Sequence, residues 1–256
     1  MLNHVRLSPN LVKQQLSLHK FDIIPSTNQK LWELIDQGVK LPTAAIASQQ
    51  TAGRGQWGRK WQSQPGGLYL SVAVTPNIPA KNAPHLTLCS AWGIATALRN
   101  YKIPVLLKWP NDLIIGGLKL GGIKTETRIQ QGKITYAVIG IGINWTNPVP
   151  DMGINLKSFF KDQLILSITS LEMLTAIVID GLLCGYQRYL SEGINNLLPS
   201  YEKLLNNMGH SLMVEGCPGV VVGVTTEGEL RVRLHSLGAT TEICLQPGTI
   251  SLGYNH

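Results

Sequence analysis

Apolar and polar residues change period several times along the chain, and each change marks a predicted element. Ser26-Thr27-Asn28-Gln29 opens a helical run with Leu31, Trp32, Leu34 and Ile35 on one face, ending at Gly38. Ser26 and Gln29 have capping-box spacing, and glycine is a common helix stop. Thr43 to Ser48 and Leu68 to Val74 have the composition of strands, and Pro84 to Tyr101 that of a helix. From Val105 to Trp145, short β-type runs are punctuated by Gly116-Gly117, Gly121-Gly122 and Gln131-Gly132, a pattern of antiparallel hairpins. Two helical blocks follow, Ser170 to Leu190 with Thr169 and Glu172 at capping-box spacing, and Gly193 to Asn207. After Met208 the pattern becomes short strands with turns at Glu215-Gly216, Glu227-Gly228, Leu237-Gly238 and Pro247-Gly248. Five brief strands there predict a small barrel. The expected organisation is one domain over 1–207 and a second over 208–256.

Composition narrows the class. The chain has 256 residues, 44% hydrophobic and only 14% charged, which excludes a disordered or coiled-coil protein. The richest apolar stretch, Leu164 to Leu183, is interrupted by Glu172 and Asp180, so no membrane span is expected. Asn3, Arg6, Lys13, Gln14 and Gln15 break any secretory apolar run. Cys89, Cys184, Cys217 and Cys244 are scattered, without zinc-ligand spacing, and suit a reducing cytoplasm.

The net charge of +7 is unevenly placed. Between Asp36 and Asp112 there is no acidic residue but there are eight basic ones: Lys40, Arg54, Arg59, Lys60, Lys81, Arg99, Lys102 and Lys108. The rest of the chain is nearly balanced. A local excess of this kind points to an anion site, with a phosphate-bearing small molecule favoured over nucleic acid because the cations are not densely clustered.

Within that segment Gly53-Arg54-Gly55-Gln56-Trp57-Gly58 matches G-x-G-x-x-G. A dinucleotide fingerprint needs a following helix and an acidic residue about 20 positions on, and neither is present. What remains is either a mobile anion-binding loop, with glycines exposing N–H groups and arginines adding forked donors, or a solvated basic turn. A second cluster is Lys108-Trp109-Pro110-Asn111-Asp112, followed by Lys119-Leu120-Gly121-Gly122-Ile123. Its lysines are compatible with a converging site or with snorkelling surface residues, and Asn111 and Asp112 with turn formers. A third is Gly140-Ile141-Gly142-Ile143-Asn144, whose asparagine either reaches a metal or phosphate or caps the strand.

Taken in order, Ser26-Thr27-Asn28, the Gln50 to Trp61 loop, Lys-Trp-Pro-Asn-Asp, Lys119 with Gly122, and Gly-Ile-Asn closely resemble the biotin–protein ligases over residues 21 to 146. The resemblance implies an α/β (α+β) catalytic domain like that of class II aminoacyl-tRNA synthetases, with a mixed, largely antiparallel sheet, and a small SH3-like C-terminal barrel. It implies activation of biotin by ATP with Mg2+, giving biotinyl-5′-AMP. Transfer to a lysine of the biotin carboxyl carrier protein of acetyl-CoA carboxylase would follow. A cytoplasmic homodimer is expected.

Carried over by resemblance, Ser26, Thr27, Asn28, Gln50, Gly53 and Gly122 belong to the biotin site. Lys119 and Arg54 are the catalytic cations between carboxylate and α-phosphate. Arg59, Trp61, Lys108, Asn111 and Asn144 face the nucleotide, Trp61 by stacking on adenine, and Asp112 is the metal-ligand candidate. All these candidates precede Trp145. The chain departs from the family pattern in three ways: no helix-turn-helix precedes Phe21, so DNA binding is not expected; Gln56 replaces a common arginine; and Gly253 stands where some members have arginine. Lipoate–protein ligase, sharing fold and adenylate logic, is the nearest enzymatic rival, and a nucleic-acid-binding regulator is the non-enzymatic one.

Overall fold

The computed structural model describes residues 16–161, 167–236, 239–250 and 252–253. The expected Leu237-Gly238 turn and the polar positions before residue 16 lie outside these. An eight-stranded sheet forms the larger part. Its strands are β1 (Ser17–Ile24), β2 (Thr43–Gln50), β3 (Leu68–Val74), β4 (Ile78–Pro79), β5 (Leu106–Lys108), β6 (Asp112–Ile115), β7 (Leu118–Gln130) and β8 (Lys133–Ile143). The order is β1-β2-β3-β8-β7-β6-β5, with β4 also on β8. Only β1 and β2 run parallel. The expected mixed, largely antiparallel sheet is therefore present.

Helices cover both faces. Helix α1 (Thr27–Asp36) puts Leu31 and Ile35 on Ala45, Ala73 and Val138. On the opposite face lie α2 (Ala83–Asn100) and, after the one-turn α3 (Leu156–Phe159), the long α4 (Leu171–Glu202). These pack on the alternate residues of the same strands, such as Leu68, Leu70, Val72 and Val74 of β3. Close approach of α2 and α4 depends on glycine: a Cβ at Gly93 would lie 2.0 Å from the Gly181 carbonyl oxygen, and one at Gly185 would lie 2.1 Å from that of Cys89.

Two capping expectations are corrected. Ser26 has the extended backbone of an N-cap, but its side chain caps nothing, and Gln29 Nε2 donates to Glu33 instead. In α4 the cap is Ser170, whose Oγ accepts from Met173 N at 3.1 Å, rather than Thr169. Gly193 (φ 76°, ψ 172°) breaks the helical path, so the two predicted helical blocks run end to end across a kink.

Beyond α4, four strands rather than five are present among the described residues: β9 (Ser211–Val214), β10 (Cys217–Val224), β11 (Leu230–Ser236) and β12 (Ala239–Leu245). They form an antiparallel sheet of their own. Polar contacts tie it to the larger part: Trp109 Nε1 donates to Gly228 O at 3.0 Å, and Val224 N donates to Glu202 Oε1 at 2.8 Å. His85, buried in α2, sits 2.6 Å from Thr226 O and 2.9 Å from the Tyr189 hydroxyl. No helix among the described residues is long and apolar enough to cross a membrane.

Candidate active site

On the α1 face the sheet is only partly covered, and a cleft of about 1140 Å³, open mouth included, runs along it. The residues of the floor explain why. At positions where β3 and β8 would otherwise carry large residues toward α1, they carry Ser71, Gly140 and Gly142. A Cβ on Gly140 would come within 2.2 Å of Asn28 Oδ1, and one on Gly142 within 2.4 Å of the Trp61 indole nitrogen. Two candidate site side chains, Asn28 and Trp61, thus lie directly on the sheet's backbone.

One end of the cleft is polar and has no net charge, Lys124 and Glu126 being ion-paired there. Gln50, at the end of β2, accepts through Oε1 from Thr27 N at 2.9 Å and from Thr27 Oγ1 at 3.2 Å; its Nε2 donates to Ser63 Oγ at 2.8 Å. Ser71 Oγ lies 2.7 Å from Thr27 Oγ1 and 2.6 Å from Asn28 Oδ1, so its single proton serves one of them at a time. Asn28 Nδ2 is a buried donor that makes no hydrogen bond of good geometry. Buried donors of this kind are costly unless something meets them, and the Asn28 side chain is, against the upward push of burial, among the groups that lower the Glu126 carboxyl.

The other end is cationic. Lys119 Nζ is 2.7 Å from Asp112 Oδ1 and 5.5 Å from the centre of the Trp61 ring. Lys108, only 8% exposed, faces the same space. Burial pushes its ammonium down to about 8, with the Lys119 and Arg59 charges adding to that and Asp112 opposing it. A cation so placed gains most from an arriving anion, because the anion restores what burial removed.

The glycine-rich segment expected as a loop is a tight hairpin. Trp61 N donates to Gly53 O, Gly55 N to Arg59 O and Arg59 N to Gln56 O, at 3.0, 2.7 and 3.1 Å. At its tip Trp57 (φ 57°) and Gly58 (φ 73°) both take left-handed backbone, as a two-residue hairpin turn of type I′ requires. A tryptophan there is strained, by about 1–3 kcal/mol. The hairpin carries Arg54, Arg59 and Lys60 to the cleft. Gln56 Nε2 reaches Ile123 O at 3.4 Å, and Asn111 Nδ2 bonds the same oxygen at 2.8 Å.

Against this geometry the comparisons with known proteins fall into place. A sequence profile of the biotin/lipoate A/B protein ligase family matches residues 20–144. The bifunctional ligase/repressor BirA of Bacillus subtilis is 30% identical over 240 residues, covering 88% of this chain and 71% of that protein. This chain belongs to the biotin–protein ligase family. A family member from Paracoccus denitrificans, a biotin–[acetyl-CoA-carboxylase] ligase, is 30% identical over 131 residues, half of this chain and 54% of that one. The structure of the Aquifex aeolicus biotin protein ligase in complex with biotin and ATP superposes with a TM-score of 0.67 at 25% identity, over 89% of this chain and 99% of that one. That likeness matches the expected α/β architecture, and the separate four-stranded C-terminal sheet is consistent with the expected SH3-like barrel.

Of the residues singled out from the family resemblance, Ser26, Thr27, Asn28, Gln50, Arg54, Arg59, Trp61, Lys108, Asn111, Asp112, Lys119 and Gly122 all line the cleft. Gly53 and Asn144 do not. Gly53 is buried at the hairpin base, where a Cβ would strike Trp61 O at 2.4 Å. Asn144 is spent on backbone: Nδ2 donates to Lys119 O and Ile154 O at 3.3 and 3.2 Å, while Oδ1 accepts from Asn147. Its strand-end capping role holds the Lys119 backbone in place. Sequence reasoning missed Lys124 and Glu126, whose strand position on the Gly122 face was the available signal. It also missed Gly248, Ile250 and Leu252, which bring the C-terminal part into the cleft wall. Trp57, 63% exposed, lies against Gly248, where a Cβ would sit 2.8 Å from the indole.

Proposed function

We propose that this protein activates biotin with ATP as biotinyl-5′-AMP and transfers the biotinyl group to a lysine of the biotin carboxyl carrier protein of acetyl-CoA carboxylase. The observation that carries the reading is one cleft with a polar end of no net charge and a cationic end, joined by the glycine floor. Thr27, Asn28 and Gln50 suit a neutral ring rich in hydrogen-bonding groups. Lys119, Lys108, Arg54 and Arg59 suit a carboxylate and a triphosphate brought together, with Trp61 as the base-stacking surface.

In the first step a biotin carboxylate oxygen bonds to the α-phosphorus as the bond to the β-phosphate oxygen breaks, and pyrophosphate leaves. In the second, the carrier amine attacks the acyl carbon, the bond to AMP breaks and the amine loses a proton. No side chain need form a covalent intermediate. Lys119 aligns two mutually repelling anions and meets the charge that develops between them, a role worth most in a cleft screened from water. Asp112 fixes that ammonium, and Asn144 fixes the strand end that bears it.

No cluster of three acidic, histidine or cysteine side chains that could cage a metal exists among the described residues. A carboxylate at the cationic end of the cleft, Asp112, suits Mg2+ brought by ATP, which keeps its waters and takes one or two carboxylates besides phosphate. Asp112 would be its protein ligand, and the ion would neutralise the departing pyrophosphate. The test is direct: purified protein with ATP, Mg2+ and labelled biotin or lipoate should yield the biotinyl adenylate and label on a carrier lysine. Label from lipoate alone would overturn the reading.

A further inference from the structure

The polar end of the cleft is bounded by an ion pair, Lys124 with Glu126, that the chemistry above does not use. Alternation along β7 sends Gly122, Lys124 and Glu126 toward α1, while Ile123 and Thr125 face α2. Lys124 pairs across the sheet with Gly140, and Gly140 pairs with Ser71. These three therefore share one rung, the rung on which Asn28 rests. Neighbouring strands lie about 4.8 Å apart, so the root of Lys124 is one strand from the floor beneath Asn28.

Lys124 is held in place. Its Nζ lies 2.9 Å from Glu126 Oε1, and Glu126 Oε2 accepts from Trp32 Nε1 at 2.9 Å. The Trp32 ring in turn lies under the Arg128 guanidinium at 4.5 Å, and Arg128 is paired with Asp36. A continuous chain from Asp36 through Arg128, Trp32 and Glu126 ends at Lys124 in the cleft wall.

We propose that Lys124, braced by Glu126, is a specificity-determining residue that selects an acid whose ring end bears polar acceptors, such as a cyclic urea, over one ending in a dithiolane or an alkyl chain. This rests on the biotin reading of the same cleft. An apolar end seated on this rung would strip water from the partly exposed Lys124–Glu126 ion pair and return no hydrogen bonds. A urea oxygen accepts from such donors and replaces the water. Sites built to hydrogen-bond a substrate reject analogues that leave those groups unpaired far more strongly than apolar pockets reject an extra methylene. The family covers both biotin and lipoate enzymes, and this rung provides a physical basis for choosing between them.

The test is ATP–pyrophosphate exchange by the full chain with biotin, lipoate and octanoate, on wild type, Lys124→Met, Lys124→Arg and the double variant Lys124→Met with Glu126→Gln. Wild type should favour biotin. Lys124→Met should raise the biotin KM by about tenfold or more, as expected for a lost charged hydrogen bond, with a smaller change in kcat. The ratio of kcat/KM for biotin over octanoate should fall, furthest in the double variant, and Lys124→Arg should restore most of it. A merely structural role would lower activity with all three acids alike. An unchanged ratio in folded Lys124→Met and in the double variant overturns the inference while leaving the biotin reading intact. Wild-type preference for lipoate or octanoate would instead defeat the biotin reading itself.

Discussion

The two faces of the large sheet are built from alternate residues of the same strands, yet they do opposite things. Toward α2 and α4, β8 presents Ile139, Ile141 and Ile143, all buried in the main core. Toward α1 the same strand presents Val138, Gly140 and Gly142. Glycine serves both faces in opposite ways. In the helix pair, Gly93, Gly181 and Gly185 let backbones touch and seal the core; in β8, Gly140 and Gly142 leave room that polar side chains and a ligand can share. The difference teaches that what a missing Cβ does depends on whether backbone or a movable side chain stands opposite it.

The largest effect should come from the cleft face. Lys119→Ala is expected to keep its melting temperature and lose adenylate formation by about 10²–10³-fold or more, the scale of removing one electrostatic stabiliser of a transition state. The readout is single-turnover adenylation of a folded variant. A normal rate would remove Lys119 from the chemistry.

Substituting the two kinds of glycine sharpens the contrast. Gly93→Ala should destabilise by about 1–3 kcal/mol despite alanine's better helix propensity, because its Cβ meets the Gly181 carbonyl and packed backbone cannot retreat. Gly142→Ala meets the Trp61 indole, a side chain that can swing. It should melt near wild type yet raise the KM for ATP several-fold. Equal loss of stability in both, read by thermal melts, would erase the distinction.

Titration provides two smaller effects. Lys108, with its ammonium brought down to about 8, carries its charge below that pH and loses it above. ATP binding should therefore weaken as pH rises through 8, by up to about tenfold per unit, and Lys108→Met should bind weakly at every pH. On the opposite face His85 is neutral, with Nε2–H donating to Thr226 O and Nδ1 accepting from Tyr189. Burial holds it below its ordinary 6.5, against weaker opposing effects of Thr226 O and Glu227. The unfolded chain thus takes up a proton first as the medium becomes acidic. Stability should be complete above 6.5 and decline as pH falls from there toward the folded-state value, by at most about 1.4 kcal/mol per unit. Denaturant melts of wild type and His85→Gln should differ in slope within that window, and identical slopes would show that the buried histidine is not responsible.

Most of the cleft was legible only through the family resemblance, which short, chemically unusual runs carry; read singly, each run was also compatible with a turn, a surface lysine or a strand-end cap. Gly-Arg-Gly, Lys-Trp-Pro-Asn-Asp and Ser-Thr-Asn are each local, and local runs survive into structure wherever backbone and charge dictate them. Ser170 rather than Thr169 as the α4 cap, and the uncapped Ser26, show where local pattern fell short: adjacent hydroxyls offer the same spacing, and packing chooses between them. Lys124 and Glu126 were passed over because two charges on a half-buried strand look like any solvated edge until α1 is placed above them.

By itself the sequence determined most of the elements, though not β1 or α3, and the location of the excess positive charge. Periodicity and composition act over a few residues, and these features are of that range. Tertiary structure decided which side chains meet. It spent Asn144 on the Lys119 backbone and turned the glycine-rich segment into a hairpin with Trp57 in left-handed backbone. It also brought Gly248, Ile250 and Leu252 of the C-terminal part to a cleft whose other walls precede residue 145. Contacts between residues a hundred positions apart depend on sheet order, strand register and helix crossing, and no local pattern in the chain encodes these.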